Sequence, residues 1–211
     1  MVPPGLFLPA AERYSLSNRI DAWVVDAAFA WLEQHPEHVA ELESCSINLS
    51  GLSVGNPQFL EYLVEKCRNS IIPPEKLCFE ITETAAISNL GLATRFIRRL
   101  RQQGCRFALD DFGSGLSSFA YLKNLPVDYL KIDGVFIREL ASDAIDQAAV
   151  RSINEIGHVM GKKTIAEFVE DDIVIEKLKE IGVDYAQGFG IAKPQPIDNL
   201  LNGSESERRQ A

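Results

Sequence analysis

Short apolar runs recur along the chain, and each run ends at a polar or charged residue. The runs contain β-branched and aromatic residues and are bounded by Gly, Pro or polar positions, a pattern that predicts buried strands. Six runs of this kind are present, so we expect six strands. The residues that close them are Asn48, Glu80, Asp110, Lys131, Glu167 and Gln187.

Amphipathic helical patterns separate the predicted strands. Asn56 followed by Pro57 predicts the start of one helix, because Asn is a favoured N-cap and proline fits the first helical position. Gly104, Gly161 and Gly182 predict the ends of three others. Besides the helix that begins at Pro57, the predicted helices cover residues 10–14, 18–34, 90–103, 143–160 and 171–181.

The alternation of strand and helix predicts an α/β fold with parallel strands, because a parallel strand needs a long crossover that is usually helical. Doubly wound sheets also alternate, but they gather ligand groups at one crevice where the strand order reverses. Here every strand ends in a polar group, which favours a TIM-like (β/α) barrel, whose active site is assembled from many strand ends. A closed barrel has about eight strands in roughly 250 residues. The 211 residues supply six strands, so we expect an incomplete barrel with its first strands missing.

Asp110 and Asp111 stand side by side after the run Phe107-Ala108-Leu109 and before Phe112-Gly113-Ser114-Gly115. Two adjacent carboxylates repel each other unless a cation lies between them, and Asp, Glu and Asn oxygens suit Mg²⁺ or Mn²⁺ better than zinc. A glycine-bearing loop lets the backbone approach a ligand closely. The alternative is a capped βα turn, in which the acids accept backbone hydrogen bonds at a helix start.

Composition narrows the possible partners. The net charge of −9 disfavours binding to a nucleic-acid polymer, since duplex phosphates need a basic face. Hydrophobic residues make up 46% of the chain, enough for one sizeable core, so we expect residues 1–201 to form one domain and residues 202–211 a disordered polar tail. The sequence has no long apolar span or signal peptide, which predicts a cytoplasmic domain, free or as part of a membrane-anchored parent protein.

The most specific signal comes from three motifs: Glu80-Ile81-Thr82-Glu83, then Asp110-Asp111-Phe112-Gly113-Ser114-Gly115-Leu116-Ser117-Ser118, then Leu130-Lys131-Ile132-Asp133. In this order they resemble the EAL-domain family, phosphodiesterases and receptors for the bacterial second messenger cyclic di-GMP. The resemblance extends from Phe7-Leu8-Pro9-Ala10-Ala11-Glu12 to Gln187-Gly188-Phe189 and Lys193-Pro194. It implies a TIM-like barrel and hydrolysis of cyclic di-GMP to linear pGpG with two Mg²⁺ or Mn²⁺ ions.

The resemblance also implies roles for individual residues. The positions matching Asn48, Glu80 and Asp110 bind one divalent metal, and those matching Asp110, Asp111 and Glu167 bind the second. The implied catalytic positions are Lys131, Glu167 and Glu83, and the implied substrate-binding positions are Gln187, Asp133 and Pro194.

Two of these roles have ordinary structural alternatives. By the resemblance, Lys131 lies beside the attacking water and Glu83 supports the loop after Asp111. Taken alone, a lysine at a strand end more often has its ammonium group in solvent, and Asp133 would then be its structural partner. Gln187, taken alone, more often has a structural role than a position that lines a binding site.

The chain departs from the family at two points. The Glu-Ala-Leu strand, whose glutamate binds metal, and the arginine that follows it are not found in the 211 residues. We expect that strand to lie before Met1. Phe168 stands where the family usually has glycine, and we expect it to crowd the mouth of the site.

Two functional hypotheses from different classes follow, and both keep cyclic di-GMP as the ligand. The first is a phosphodiesterase whose activity is reduced in these 211 residues by the loss of one metal-binding carboxylate. The second is a catalytically silent regulatory module that binds the nucleotide. A sugar- or aldol-type barrel enzyme is a third possibility, but a phosphate-binding glycine run late in the barrel is missing. We further expect a homodimer and a parent protein with sensory or GGDEF domains.

Overall fold

The computed structural model describes residues 4–115 and 120–202, and the predicted polar tail lies almost wholly outside them, as do Leu116, Ser117 and Ser118 of the second motif. The described chain forms two compact units. The first unit contains residues 4–108 and 120–127, and the second contains residues 109–115 and 128–202.

Six strands form, as the apolar runs predict, and their order in the sheet follows their order in the chain. They are β1 (Cys45–Asn48), β2 (Leu77–Thr82), β3 (Arg106–Phe112), β4 (Tyr129–Ile132), β5 (Lys163–Ala166) and β6 (Tyr185–Ala186). The pairs β1·β2, β4·β5 and β5·β6 are parallel. The predicted α/β class with parallel strands is therefore confirmed.

Nine α-helices lie within the described residues. They are α1 (Pro4–Arg13), α2 (Ser17–Gln34), α3 (Pro36–Glu41), α4 (Gly51–Val54), α5 (Pro57–Asn69), α6 (Glu83–Ser88), α7 (Leu90–Arg101), α8 (Ala144–Val159) and α9 (Asp172–Ile181). The long amphipathic helices agree with their predicted positions within two residues at each end wherever both ends were predicted.

The sequence pattern was wrong about the first helix, which begins at Pro4 rather than at residue 10 and runs through Pro9. Pro9 lies near the middle of the helix, where proline usually breaks the pattern, so the local signal pointed to a later start. The short helices α3, α4 and α6 were not predicted, because four to six residues are too few to show a helical period.

The core of the first unit is built from the apolar faces of α2, α5 and α7 and from its strands. Phe96 of α7 lies between two other rings: it stacks on Phe59 of α5 with ring centroids 6.5 Å apart and meets the edge of Phe107 of β3 at 6.3 Å. Rings at these separations add to the free energy gained by burying their area. This packing fixes two helices against one strand.

The second unit is held partly by a polar network that aligns α8 with β5. The Thr164 hydroxyl donates to Asn154 Oδ1 at 2.5 Å, and the Thr164 amide donates to Asp184 Oδ2 at 2.8 Å. His158 Nε2 lies 2.8 Å from the same Asp184 oxygen. Burial opposes ionisation of Asp184, but these hydrogen bonds outweigh it and lower the pKa of its carboxyl group. These hydrogen bonds hold the start of β5 against α8 and residue 184.

Among the described residues, none of the helices has both the length and the apolar character needed to cross a bilayer.

The N-cap of α5 provides a test of the helix signals. Asn56 Oδ1 accepts hydrogen bonds from the amides of Gln58 at 2.9 Å and Phe59 at 3.3 Å. We expect Asn56→Ala to lower the free energy of unfolding by about 0.5–2 kcal/mol in urea denaturation, because both amides lose their acceptor. Asn69→Ala at the other end of α5 is the matched control and should change it by less than about 0.5 kcal/mol. Equal effects of the two substitutions would contradict the capping role.

Candidate metal centre

Asn48 and Glu80 are the two candidate ligands at the strand ends of the first unit. They occupy paired positions in the parallel β1·β2 ladder, so their side chains lie on the same face of the two strands. Glu80 is only 3% exposed, whereas Asn48 is exposed. The Leu49 amide donates to the Glu80 carbonyl at 2.8 Å, which carries the pairing one residue beyond the end of β1.

A buried acid that the sequence analysis missed supports the loop after Asn48. Asp21 Oδ2 accepts hydrogen bonds from the Ser50 amide at 2.9 Å and from the Ser50 hydroxyl at 2.6 Å. Asp21 lies on the buried stripe of α2 with Val25 and Phe29, four residues apart along the helix. An acid on an apolar stripe is the signal that could have identified it.

Glu83 lies at the start of α6 and is 2% exposed. Its Oε1 atom accepts a hydrogen bond from the Tyr121 hydroxyl. Tyr121 begins a 3₁₀ turn downstream of the loop that follows Asp111. The family resemblance implies a role for Glu83 at that loop, but the sequence gives no sign of its contact with Tyr121, since 38 residues separate the pair.

Three acids of the second unit meet at one place. Asp110, Asp111 and Glu167 each offer a carboxylate oxygen, and these oxygens lie within 4.8 Å of one another. Asp110 and Asp111 do not follow the strand, as the sequence suggested, but are its last residues before Phe112. Glu167 follows β5 directly.

Lys131, in β4, lies among these acids and is 2% exposed. Its ammonium group contacts Asp110 Oδ1 at 2.8 Å and Glu167 Oε1 at 2.8 Å. The alternative of a solvated strand tip is therefore wrong for this lysine. A charge this deeply buried has a large desolvation cost, which the two carboxylates offset.

The acid cluster fits a hard divalent cation. Asp110 Oδ1 is buried, and its 2.8 Å approach to the Lys131 ammonium lacks hydrogen-bond geometry, so it has no hydrogen-bond partner among the described residues. Its lone pairs remain available to a cation. Three carboxylates and no sulfur or imidazole donor form a ligand set that suits Mg²⁺ or Mn²⁺.

Electrostatics within the cluster favour added positive charge. Burial is the largest cause that raises the pKa of Glu167 to about 7, Lys131 acts against it, and Asp110 and Asp111 raise it further. The pKa of Asp111 is also raised, first by burial, then by Asp110 and Asp133. One lysine therefore does not neutralise three acids.

The backbone turns sharply after β3. Asp111 has a positive φ of 54°, a conformation that aspartate tolerates better than most residues. Gly113 follows with φ 101°, and a Cβ atom there would lie 2.9 Å from Ile153 Cδ1 and 3.1 Å from Phe136 Cε2. Position 113 therefore requires glycine for both its conformation and its space. The Ser114 hydroxyl donates to the Asp111 carbonyl at 3.1 Å and closes the turn.

Phe168 occupies a second strained position, directly after Glu167. Its φ of 54° is unusual for a bulky residue, and its side chain is 47% exposed. The ring lies so close to Gly134 that a Cβ atom there would be 2.2 Å from Phe168 Cδ2. The Arg138 guanidinium lies over the ring, 4.7 Å from its centroid. Phe168 therefore rests on the 3₁₀ turn Gly134–Phe136 that follows β4.

Gln187 lies beside Glu167 in a cavity of about 220 Å³ that Phe168 also lines. The Gln187 amide donates to the Ala166 carbonyl at 2.8 Å, and its carbonyl accepts from Val169 at 3.1 Å. Its backbone thus bridges both sides of Glu167, and its side chain is exposed.

Asp133 and Pro194 are the remaining predicted residues. Asp133 Oδ1 accepts a hydrogen bond from the Val135 amide at 2.9 Å and caps the 3₁₀ turn after β4. Pro194 is exposed in the segment after β6. Their substrate-binding roles stay predictions.

The chain matches the family model described as EAL domain over residues 1–194. It is 44% identical over 210 residues to the cyclic di-GMP phosphodiesterase PdeB of Shewanella oneidensis, covering 100% of this chain and 24% of that protein. It is 36% identical over 215 residues to the cyclic di-GMP phosphodiesterase PdeF of Escherichia coli, covering 100% of this chain and 28% of that protein. The chain thus spans about a quarter of the length of these curated relatives.

Solved structures resemble the whole fold. The PaMucR phosphodiesterase in complex with c-di-GMP is similar with a TM-score of 0.88 and 34% identity, over 94% of this chain and 81% of that chain. The FimX EAL domain from Pseudomonas aeruginosa bound to c-di-GMP is similar with a TM-score of 0.84 and 32% identity, over 92% of this chain and 77% of that chain. These similarities confirm the predicted TIM-like barrel class.

The turn after β3 can be tested at Gly113. We expect Gly113→Ala to lower the free energy of unfolding by more than about 1 kcal/mol, because the methyl group meets Ile153 and Phe136 in a conformation that alanine disfavours. It should also weaken Mn²⁺ binding, measured by calorimetry, because the turn orients Asp111.

Gly161→Ala is the matched control. Its φ is +69°, but a Cβ atom there has nothing within 4 Å, so only the backbone strain of about 1 kcal/mol is expected. Mn²⁺ binding should be unchanged. The same loss of binding in both variants would show that the turn does not position the acids.

The raised pKa of Glu167 predicts a pH-dependent response to metal. Since the pKa of about 7 lies above the usual 4.5, a proton on Glu167 stabilises the metal-free fold, and this contribution is lost as the pH rises through 7. A divalent cation bound by the cluster would replace that proton. The increase in Tm on adding Mg²⁺ or Mn²⁺ should therefore be larger at about pH 8 than at about pH 6.

Two variants control this measurement. Glu167→Gln cannot ionise and should largely remove the difference between the two pH values. Glu155→Gln, on an exposed position of α8, should preserve it. An equal Tm increase at both pH values in the unaltered protein would contradict the assignment of Glu167 to the cation site.

Proposed function

The chain belongs to the EAL domain family, and from this premise we propose that it hydrolyses cyclic di-GMP to linear pGpG. The observation that carries the proposal is the convergence of Asp110, Asp111 and Glu167, with oxygens within 4.8 Å, around the buried Lys131. The names of the relatives support the substrate, since PdeB and PdeF are called cyclic di-GMP phosphodiesterases. Because the chain has a net charge of −9, bound metal cations would help it to bind an anionic substrate.

We propose that two Mg²⁺ or Mn²⁺ ions bind at the strand ends. Asp110 would serve both ions; Asn48 and Glu80 would join it at one, and Asp111 and Glu167 at the other. Bound as a pair, such ions activate water and stabilise the charge that develops on a phosphodiester. Asp110 Oδ1, which has no hydrogen-bond partner among the described residues, and the in-register pair Asn48 and Glu80 support this ligand set.

Lys131 is proposed to act on the reacting groups as a fixed positive charge. Its two ion pairs hold its ammonium group in place, so it needs no reorganisation when an anion binds. It also orients Asp110 and Glu167 toward a common point. We assign it a position beside the attacking water.

The remaining residues of the proposed site bind substrate or hold its loops. Gln187 shares a cavity with Glu167 and is proposed to line the substrate site. Asp133 and Pro194 are assigned to substrate binding on the family resemblance. Glu83 is proposed to support the loop after Asp111 through Tyr121, which donates to its carboxylate.

The wider assignments are also proposals. We propose that residues 1–201 act as one EAL domain with residues 202–211 as its polar tail. The domain would work in the cytoplasm as a homodimer within a protein that carries sensory or GGDEF domains. The length of the relatives, about four times the matched region, supports such a multidomain arrangement.

A silent cyclic di-GMP receptor is the second candidate. The similarity to the FimX EAL domain, whose structure is of the c-di-GMP-bound form, favours it, since binding of the nucleotide does not require turnover. The persistence of Asn48, Glu80, Asp110, Asp111 and Glu167 weighs against it, because a receptor has no need of so many metal ligands.

Hydrolysis of cyclic di-GMP in Mg²⁺ or Mn²⁺, followed by chromatography of pGpG, tests the proposal. We expect turnover by the unaltered chain and a loss of at least about 10²-fold in Asp110→Asn and in Lys131→Met, since each removes a charge from the reacting site. Glu155→Gln is the matched carboxylate control and should keep full activity.

Calorimetry with cyclic di-GMP separates the two candidates. Tight binding without any turnover, in the presence of either metal, would replace the enzyme by the silent receptor. Turnover that survives Asp110→Asn and Lys131→Met would show that the reaction does not use this cluster.

A further inference from the structure

The exposed face of α7 carries an unusual concentration of positive charge. The helix has the sequence LGLATRFIRRLR, with four arginines and no acid, in a chain whose net charge is −9. Its buried face packs through Ala93, Phe96, Ile97 and Leu100. The helical period therefore directs the arginines away from the core.

Three of the arginines line one cavity. Arg95, Arg98 and Arg99 border a surface cavity of about 580 Å³ in the first unit. Their spacing of three and four residues places neighbouring side chains about 5–6 Å apart at Cβ. The other polar lining groups are the Thr94 hydroxyl and the Gln102 and Asn124 amides.

Positive charge in this cavity has no internal counter-charge. No carboxylate appears among the described residues that line it. None of the three guanidinium groups has a hydrogen bond or ion pair with a described residue. Arg106 of the same unit, by contrast, pairs with Glu43 at 3.0 Å.

The helix dipole explains only part of this pattern. Cations in the last turn of a helix interact favourably with its C-terminus, and Arg98 and Arg99 lie there. Arg95 lies one turn earlier, outside that region. Like charges three and four residues apart repel each other and weaken the helix. An anion bound between them would remove this repulsion.

We propose that Arg95, Arg98 and Arg99 form a binding site for a small ligand that carries at least two phosphate groups. Guanidinium groups match phosphate oxygens with paired hydrogen bonds, and three of them around one cavity can bind two phosphates at once. The hydroxyl and amide groups supply further donors. No aromatic ring lines the cavity in the described chain, so the phosphates rather than a base are recognised.

A protein partner fits the cavity less well. The interior of a protein interface is usually apolar and aromatic, and Leu90 is the one large apolar residue among the described lining residues. None of the lining residues belongs to the proposed metal or catalytic set. The site therefore does not depend on the proposed hydrolysis.

Calorimetry on the unaltered chain with inorganic pyrophosphate and, separately, ATP tests the proposal. A chelator in the buffer prevents binding bridged by metal at the acid cluster. We expect both probes to bind, more weakly as salt is raised, because the contacts are ionic. Amide NMR shifts should change within residues 90–102 and at Asn124. If ATP bound and pyrophosphate did not, the proposal that the site recognises phosphate groups and not the base would be overturned.

Single substitutions locate the site. Arg95→Ala, Arg98→Ala and Arg99→Ala should each weaken pyrophosphate binding by at least about tenfold, because each removes a charge-assisted contact. Arg98→Lys keeps the charge but not the planar guanidinium group, so it should retain part of the affinity. This variant keeps the test valid if an alanine variant unfolds. Arg68→Ala, which removes an exposed arginine from the last turn of α5, is the matched control and should bind normally.

Three results would overturn the proposal. They are the absence of pyrophosphate binding at low salt, unchanged binding in the cavity variants, and an equal loss in Arg68→Ala. Binding of a polyglutamate peptide without binding of pyrophosphate would instead assign this face to an acidic protein.

Discussion

The burial of charged groups around Asp110, Asp111 and Glu167 is the main constraint on the second unit. Each of the three acids offers a carboxylate oxygen within 4.8 Å of the others, and their like charges repel. Lys131 supplies one charge through ion pairs of 2.8 Å to two of them, yet burial, followed by the charges of Asp110 and Asp111, still raises the pKa of Glu167 to about 7. The cluster therefore favours a divalent cation, and the proposed metal-dependent hydrolysis rests on that preference.

The backbone holds these acids at some cost. Asp111 and Phe168 both have a φ of 54°, and conformations of this kind cost about 1–3 kcal/mol where they are held against preference. Both residues adjoin a proposed metal ligand, and both turns are backed by glycine, Gly113 in one case and Gly134 in the other. The packing around these turns must offset the strain. The strained residues are thus found next to the acids of the proposed site.

Polar side chains away from the acids hold the strands that carry them. Asp21 fixes Ser50 just after β1, and Asp184 and Asn154 fix Thr164 in β5. These contacts bind backbone and side-chain donors that would otherwise be buried without partners. They limit the movement of β1, which ends at Asn48, and of β5, which ends just before Glu167. Precision at a metal centre requires such support.

The charge pattern of α7 illustrates a different kind of information. A basic helix in an acidic chain is visible in the printed sequence, but the sequence does not show whether each arginine is paired. Arg106 finds Glu43, whereas Arg95, Arg98 and Arg99 share a cavity without a described partner. Whether an arginine is paired depends on which acids the fold brings near it. The lack of a described partner distinguishes the proposed binding site from an ordinary solvated helix face.

The strands, the longer helices and the polar residues near the end of each strand can be predicted from the sequence. These features have local signatures: a short apolar run, a helical period, or a cap such as Asn56. The family motifs added the candidate ligands. The sequence does not show that α1 begins at Pro4 or that β3 continues through Asp111 to Phe112. It also does not show that the Tyr121 hydroxyl contacts Glu83.

Tertiary structure alone decided how those residues act on each other. Lys131 reads locally as a solvated strand tip, and only the fold buries it between Asp110 and Glu167. The same holds for Asp21, whose partner Ser50 lies 29 residues away. Burial and pairing are set by contacts between distant parts of the chain, and a local pattern contains no record of them.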